Sequence, residues 1–564
     1  IFEENIMNFA KQQLLADNWQ QIIEVSQRYQ AEQVFTPYQE QVENFVMRVP
    51  LVGLFSAGKS TLINKLINDN LLSVQITPET AMAVEFYYTD EDEKFIGHYA
   101  NKEIVLTRND IANQNFEKLS NNTDTGSHTW VSAYINAPVL QQFPHISLVD
   151  LPGLESNLIS HSQMIDNYIQ KSLAYALVVS AEDGELRSST QQFLHEMSLS
   201  QTPIILIVTK SDSKTESDAQ DVLTKVESSI TALLGRKPLK SVLVSARKNR
   251  NLDEVLQAFS LIESKAESRF NQVVVYPIVE KANFLSQNLD KLINTDDATI
   301  EQLQAEKQSL VDEMTAFKKK LAKDTDRLDM QTQGVVKNVT HSVESRLTAQ
   351  LDTLATSVLS SQDISPMIEN TVRIAVTEGL QTELAPVIQS YIKTINAEMP
   401  NSLKVDTPTV HLDDVTDNDW NFSDVVTTLA PVLALLKIHP IVAVVSTILL
   451  PVVAKLADMF MSSSKREAQL EAQRESARQS VLNQVIPQVI INVNQALTTI
   501  VRDNINQAKS TMETLMNERA SLVQQQLEQK EQDIQASQTE QEKRKQVYKD
   551  DQLFFTQLIA QLAN

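Results

Sequence analysis

Residues 53–60 read Gly53-Leu-Phe-Ser-Ala-Gly58-Lys59-Ser60, a complete G-x-x-x-x-G-K-S phosphate loop. It stands between an apolar, strand-like run at 49–55 and a helical pattern at 61–67. That context gives the string its meaning. Backbone N–H groups of a glycine-containing turn at a helix start wrap a β-phosphate, the lysine reaches the β/γ oxygens, and the serine hydroxyl can ligate Mg²⁺. The chain is therefore expected to bind a nucleoside triphosphate through Gly53, Gly58, Lys59 and Ser60. A chance match in a glycine-rich turn is the competing reading, and nine glycines in 564 residues disfavour it.

Three further elements follow in order. Asp150-Leu-Pro-Gly153 ends the apolar run 146–149, which puts Asp150 at a strand tip where it can hold Mg²⁺ through water while the Gly153 N–H faces a γ-phosphate. Thr209-Lys210-Ser211-Asp212 ends the run 203–208. A carboxylate at Asp212 can accept from both N1–H and the exocyclic amine of guanine, a donor pair that adenine lacks, while the Lys210 stem covers the ring. The run 241–244 then delivers Ser245-Ala246, a backbone position able to reach the guanine oxygen. Each motif is weak singly. Four at the C-terminal ends of successive predicted strands are strong, because open α/β sheets bind ligands along that edge. The expected head is an α/β P-loop fold, a mostly parallel sheet flanked by helices.

These residues resemble the dynamin superfamily, and bacterial dynamin-like proteins in particular. The likeness rests on the loop Phe55-Ser56-Ala57-Gly58-Lys59-Ser60-Thr61, on Asp150-Leu-Pro-Gly153, and on T-K-x-D in place of N-K-x-D, and it covers roughly residues 47–270. The resemblance implies GTP hydrolysis with GTP/GDP, Mg²⁺ and a charge-compensating monovalent cation. It adds Ser56, Ala57 and Thr61 to the nucleotide contacts and gives Ser56 the ordering of the attacking water. It also implies a switch threonine within 76–81 that completes the Mg²⁺ shell beside Ser60 and Asp150. Thr80 is assigned, since it precedes a small residue and an apolar strand, and Thr77 stays open as a substitute. Where Ras-like enzymes carry a water-orienting Gln, this chain has Leu154, and its phosphate loop has no arginine. Slow intrinsic turnover is expected, and the resemblance implies that it rises when two GTPase heads meet face to face.

Composition bounds the rest. A chain of 564 residues exceeds one core, so two or more units are expected. With no cysteine, disulfides, thiolate metal sites and cysteine nucleophiles are excluded. The histidines, scattered from His98 to His439, show no ligand spacing. A net charge of −23 opposes nucleic acid and opposes adhesion to anionic lipid by charge alone. The start of the chain, with Glu3, Glu4 and an amphipathic spread through Ile22 and Ile23, reads as a helix rather than a signal peptide. The expected location is the cytoplasm, peripheral at a membrane if apolar surface engages lipid.

Seven of the nine glycines lie between positions 53 and 235, and none follows Gly379, the usage of a turn-rich head joined to long helices. Ile300, Leu303, Leu310, Met314, Phe317, Leu321 and Leu328 recur at threes, fours and sevens, and Ile505, Ala508, Met512, Leu515 and Leu522 do the same near the other end. Such seams suit coiled coils or an ordinary bundle, and either gives an elongated all-α body. The segment before the head is expected to pack beside helices from the far end as a neck, with Pro277 as a hinge.

Between the two helical arms, Pro400, Pro408 and the acidic cluster from Asp413 to Asp424 mark a linker, and residues 425–456 are almost wholly apolar. A packed helix pair, a membrane-inserting paddle of the kind the resemblance implies, and a transmembrane pass all compete there. Position in an out-and-back stalk places this segment at an apolar tip farthest from the head. The expected units are a helical segment 1–46, a GTPase domain 47–270, neck and trunk helices 271–400, a linker and apolar tip 401–464, and returning helices 465–564. The function expected is that of a large dynamin-like GTPase coupling hydrolysis to conformational change, self-assembly and membrane remodelling. The competing class is a nucleotide-gated scaffold that acts with partner proteins and leaves the bilayer alone.

Overall fold

The computed structural model describes residues 9–73, 82–99, 102–113, 130–154, 172, 174–197, 202–294, 299–360, 362, 364–400, 403 and 467–563. Thr77, Thr80 and the apolar run 425–456 lie outside them.

Helices α1 (Ala10–Arg28) and α2 (Gln39–Glu43) precede β1 (Met47–Gly53). The head continues with α3 (Lys59–Leu66), β2 (Ala83–Tyr88), β3 (Lys94–Tyr99), β4 (Lys102–Leu106), α4 (Arg108–Ala112), β5 (Trp130–Ile135), α5 (Pro138–Gln141) and β6 (Ile146–Asp150). It ends with β7 (Tyr175–Ser180), α6 (Ser188–Met197), β8 (Ile204–Thr209), α7 (Glu216–Leu234), β9 (Ser241–Leu243) and α8 (Leu252–Glu263). The strands form one sheet in the order β4-β3-β5-β2-β6-β1-β7-β8-β9. Strands β6, β1, β7, β8 and β9 run parallel to their neighbours, as does β5 to β2, whereas β2 opposes β6 and β3 opposes both β4 and β5. Strands β6, β7 and β8 are buried along their whole length, since each face of a parallel sheet is covered. The parallel run therefore aims the tips of β1, β6, β8 and β9 at one edge, where the four motifs stand.

Helix α9 (Ala266–Phe270), a π turn (Asn271–Val275) and α10 (Tyr276–Asn294) carry the chain out of the head as one continuous helix. Pro277, read as a hinge, lies within this helix, just after the π turn. Proline lacks an N–H and its ring collides with the carbonyl four residues back, and one wider turn just before it relieves both problems. The same solution recurs after α11 (Ile300–Ala349), α12 (Leu351–Leu359) and α13 (Ser365–Gly379). A π turn at Leu380–Leu384 precedes Pro386 in α14 (Ala385–Glu398). Another at Val481–Val485, between α15 (Glu467–Ser480) and α16 (Ile486–Gln535), precedes Pro487. The last helix is α17 (Gln538–Ala563).

The seams read from sequence are inside. Leu303, Leu310, Phe317, Leu321 and Leu328 of α11 are buried, as are Ile505, Met512 and Leu522 of α16. Thr299 starts α11 with a reciprocal capping box to Gln302. Helices α11 and α16 pack against each other in opposite directions, as the ion pairs Lys307–Glu531 (2.7 Å) at one end and Arg478–Asp352 (3.6 Å, from α15 to α12) at the other require. α10 runs alongside α16 in the same sense, since Glu280 pairs with Arg519 and, farther along both helices, Lys291 comes close enough to Lys530 to act on its charge, so α11 doubles back past the base of the head. Farther along, α13 touches α6 of the head. α1 joins the neck where Arg28 and Tyr29 both bond Asp551 of α17.

The path of the trunk differs from the out-and-back stalk. α13 and α14 return along α11, through Gln350–Thr371 and Thr325–Tyr391, and Leu403 ends beside the neck with its carbonyl accepting from Arg519. Glu467 opens α15 at the other end of α11, where α15 packs on α12. The chain thus leaves the described trunk at Leu403, beside Arg519, and re-enters it at Glu467, 52 residues up the continuous helix of α15 and α16, roughly 75 Å at 1.5 Å per residue. Counting helical arms could not reveal that, because it presumes each arm is one pass.

One hydrophobic core is continuous from a sheet face (Val49, Phe86, Leu148) through Phe270 and Val274 into the neck and trunk. A second covers the other face of β6, β1, β7 and β8. No helix among the described residues is long and apolar enough to cross a membrane.

Candidate functional site

The phosphate loop turns out of β1 with glycines where geometry demands them. A Cβ on Gly53 would lie 2.2 Å from the Val178 carbonyl oxygen, and Gly58, capping α3, has φ +87°. Lys59 opens α3 and is buried, and its Nζ donates to the carbonyls of Gly53 (3.1 Å) and Leu54 (3.0 Å). Burial lowers its pKa to about 8, against the pull of Asp150. Ser60 donates its hydroxyl to Asp150 Oδ2 at 2.7 Å, and Asp150 Oδ1 is buried without a partner among the described residues. Burial raises the Asp150 carboxyl, with Lys59 and Ser60 opposing.

This arrangement fits the group expected there. Among the described residues, a buried ammonium held by two carbonyls, a hydroxyl already on a carboxylate and a carboxylate oxygen without a partner make a set suited to a phosphate with a hard divalent cation. Gly153 packs so closely that a Cβ on it would come 2.5 Å from the Phe55 backbone, and the next residue, Leu154, donates its N–H to Gly53 O at 3.1 Å. The D-x-x-G element therefore lies directly on the phosphate loop. Phe55 and Ser56 are exposed at the mouth, and Thr61 is half-buried.

The base motif stands at the tips of β8 and β9. Thr209 does not face outward. Its buried hydroxyl donates to the Ala57 carbonyl (2.5 Å), which ties the base motif to the phosphate loop. Lys210 adopts a left-handed backbone (φ +52°) and its Nζ meets Glu182 Oε2 at 2.6 Å. Asp212 accepts a 2.5 Å hydrogen bond from the Ser245 hydroxyl. That bond, with Arg247 and Lys248 behind it, holds the carboxyl below its ordinary value, so it stands ionised to accept. Ala246 follows, half-buried.

Of the residues read from sequence, Gly53, Ser56, Ala57, Gly58, Lys59, Ser60, Thr61, Asp150 and Gly153 gather at one end of the edge, and Thr209, Lys210, Asp212, Ser245 and Ala246 beside them. Thr80 lies outside the described residues. Two contacts were not legible. Ser245 bonds Asp212 through its side chain, and Glu182, which follows β7 and meets Lys210, has no motif to announce it.

Residues 49–212 match the model of the Dynamin family. Among curated proteins the chain is similar to an uncharacterised protein in the xynA 3' region of a Caldicellulosiruptor species, 24% identical over 220 residues, 38% of this chain and 53% of that one. It is also similar to Dynamin-like protein 1 of Campylobacter jejuni, 20% identical over 231 residues, 35% of this chain and 31% of that one. The chain thus spans about half and about a third of the lengths of these relatives. Among solved structures, a member of an oligomerised bacterial dynamin pair described as sensing and tethering membranes aligns over 100% of this chain and 83% of its own. Its identity is 15% and its TM-score 0.35.

Proposed function

We propose, from the premise that residues 49–212 form a dynamin-family GTPase domain, that this chain hydrolyses GTP and couples the cycle to self-association and to membrane binding or remodelling. The observation that carries the nucleotide reading is the unsatisfied pair at the tips of β1 and β6, Lys59 on main-chain carbonyls and Asp150 with a vacant buried oxygen. With nucleotide bound, Lys59 would neutralise charge on the β/γ-phosphates, Ser60 and Asp150 would hold Mg²⁺ together with Thr80, and the Gly153 N–H would meet the γ-phosphate. Mg²⁺ supplies charge neutralisation on the phosphate oxygens. Ser56, exposed at the mouth, would order the attacking water and a monovalent cation. Asp212 reads guanine, with Lys210 over the ring and the Ala246 backbone at the guanine oxygen.

The units follow as 1–46, 47–270, 271–400, 401–464 and 465–564, with lipid engaged through 425–456. A nucleotide-gated scaffold is the second reading. It is supported by the core that runs unbroken from the sheet into the trunk, a route for coupling that needs no lipid. Phosphate release from GTP, measured against protein concentration with and without liposomes, separates the two. Turnover per molecule that rises with concentration and again with liposomes supports the membrane reading. A rise with concentration alone supports the scaffold. No GTP turnover under either condition overturns both.

A further inference from the structure

The chain carries a net charge of −23, yet the loop from α7 to β9 reads Gly235-Arg236-Lys237-Pro238-Leu239-Lys240, three cations in six residues. The loop lies where β8 and β9 begin, at the sheet edge opposite the nucleotide motifs, and Leu239 N bonds Ile204 O there at 2.8 Å. Lys237 and Lys240 are taken up by Glu227 at 3.7 Å and by the Gln257 side-chain oxygen at 2.6 Å. Arg236 donates from Nη2 to the Thr202 carbonyl at 2.6 Å, just before β8.

A second arginine stands close enough to feel the charge of Arg236. Arg269 of α9 is partly buried, and among the described residues its Nη1 donates to the Gln272 side-chain oxygen at 3.0 Å. The charged group that acts on Arg269 is Arg236, another cation, where a carboxylate would be the usual partner. Burial first, and then this like charge, hold the Arg269 guanidinium below its ordinary pKa. Buried charges are normally paired, and two guanidiniums pressed together while one is desolvated call for an anion. No nitrogen of Arg269 is both sealed from solvent and unbonded, so those that Gln272 leaves are reachable.

The chemistry of the pair selects the anion. A guanidinium fork matches the oxygens of a phosphate two at a time, and a doubly negative phosphate answers two cations where a carboxylate answers one. The −23 charge repels an extended anionic surface and so favours a small phosphate-bearing solute, while screening beyond about 8 Å leaves the local pair available to it.

We propose that Arg236 and Arg269 form a binding site for a phosphate or phosphomonoester anion, which clasps the base of the head to the start of the neck. Phe270 belongs to the core that continues into the neck, and Gln272 lies in the π turn Asn271–Val275, so an anion held at Arg269 bears on that joint. The site is separate from the phosphate loop and owes nothing to the nucleotide reading.

Inorganic phosphate at millimolar concentration, offered to the full chain with sodium chloride at equal ionic strength as the reference, tests this. Phosphorus NMR should show binding that Arg269→Gln and Arg236→Gln each weaken about tenfold or more, and that Lys59→Ala leaves in place. Melting temperature supplies a sign that a merely structural arginine would not give. Without phosphate, Arg269→Gln should be as stable as the parent or more stable, because a like-charge contact is relieved. With phosphate the parent should gain more than the variant, since the general stabilisation by phosphate is common to both. Phosphatidylcholine vesicles with and without phosphatidic acid locate the source of the anion. Sedimentation that needs both phosphatidic acid and Arg269 assigns it to a lipid headgroup, and phosphate binding without such sedimentation assigns it to a free solute. An Arg269→Gln protein clearly less stable than the parent in the absence of phosphate overturns the proposal. So does a parent that binds phosphate and phosphatidic acid no better than the folded variants.

Discussion

Two buried cation–carboxylate pairs, one in the head and one in the neck, make opposite use of the same chemistry. In the head, Lys59 and Asp150 stay incomplete, the ammonium resting on two carbonyls and the carboxylate keeping one oxygen vacant. In the neck, Arg519 is saturated. Its guanidinium pairs with Glu280, donates to Leu403 O (2.8 Å) and to Met399 Sδ (3.3 Å), and lies 5.6 Å from the centre of the Phe284 ring. Burial pushes the Glu280 carboxyl up and Arg519 pulls it back. An unsatisfied buried pair is a site awaiting a ligand, and a satisfied one is a joint. Arg519 is the joint at which helix α10, helix α16 and the end of the α14 arm are held in one register.

The contrast predicts that removing the cation has opposite consequences in the two places. Arg519→Met strips the partner from a buried carboxylate and frees the Leu403 carbonyl, so stability should fall by about 3–5 kcal/mol. The double variant Arg519→Met with Glu280→Leu should recover much of it, because a packed apolar pair can replace a buried ionic one. Denaturant unfolding of the three proteins checks this. An Arg519→Met protein as stable as the parent would mean that the neck joint is not where the trunk is held.

At the base end of the edge, Asp212→Asn should reverse half of the proposed guanine contact. Loss of hydrogen bonds to a charged acceptor is worth about 1.5–3 kcal/mol, or roughly ten- to a hundredfold in GTP affinity. Xanthosine triphosphate, whose 2-oxo group accepts from the new amide, should be bound better by the variant than by the parent. A competition titration reads both, and a parent that binds ATP as tightly as GTP would remove Asp212 from the role.

Lys59→Ala should lower GTP affinity or turnover at least tenfold, about 1.4 kcal/mol, without loss of fold. The pH dependence sharpens the point. Burial holds Lys59 at about 8 in the folded chain against an ordinary 10.5, so the unfolded state binds more protons between those values. Stability of the nucleotide-free protein should therefore gain from this residue as pH rises from about 8 toward 10.5, and Lys59→Ala should flatten that part of the profile. Melting temperatures across this range decide it, and identical profiles for the two proteins would show that Lys59 is not desolvated.

How far the sequence could carry these assignments follows from the range of the interactions. The placement of the phosphate loop was legible because its glycines, lysine and serine lie within eight residues between a strand and a helix, and that of Asp150 and Asp212 because each follows an apolar strand. The α11 and α16 seams were legible from periodicity. The antiparallel entry of β2 beside β6 was not, since strand direction depends on a connection rather than on the strand's own residues. Nor was the Arg519–Glu280 pair, whose members are 239 positions apart and read singly as ordinary solvated charges on helices. The path of the trunk was misjudged for the same reason, because the point where Leu403 is pinned is set by that pair.

The smallest effect concerns a residue whose sequence reading covered only its backbone. Ser245 gives its hydroxyl to Asp212 at 2.5 Å and takes the Lys248 N–H at 3.1 Å, so it aims the carboxylate and also braces its own loop. Ser245→Ala removes one hydrogen bond to a charged group that Arg247 and Lys248 still favour, and Asp212 is accessible enough for water to replace it. The expected loss is about 1 kcal/mol, near fivefold in GTP affinity, with turnover at saturation unchanged because nothing at the phosphate end has moved. Ser245→Thr should restore most of the affinity, since the hydroxyl returns. If Ser245→Ala lowers turnover at saturating GTP as much as Lys59→Ala does, the two ends of the edge are not separable, and Thr209, which bonds the Ala57 carbonyl, is the residue through which they act as one.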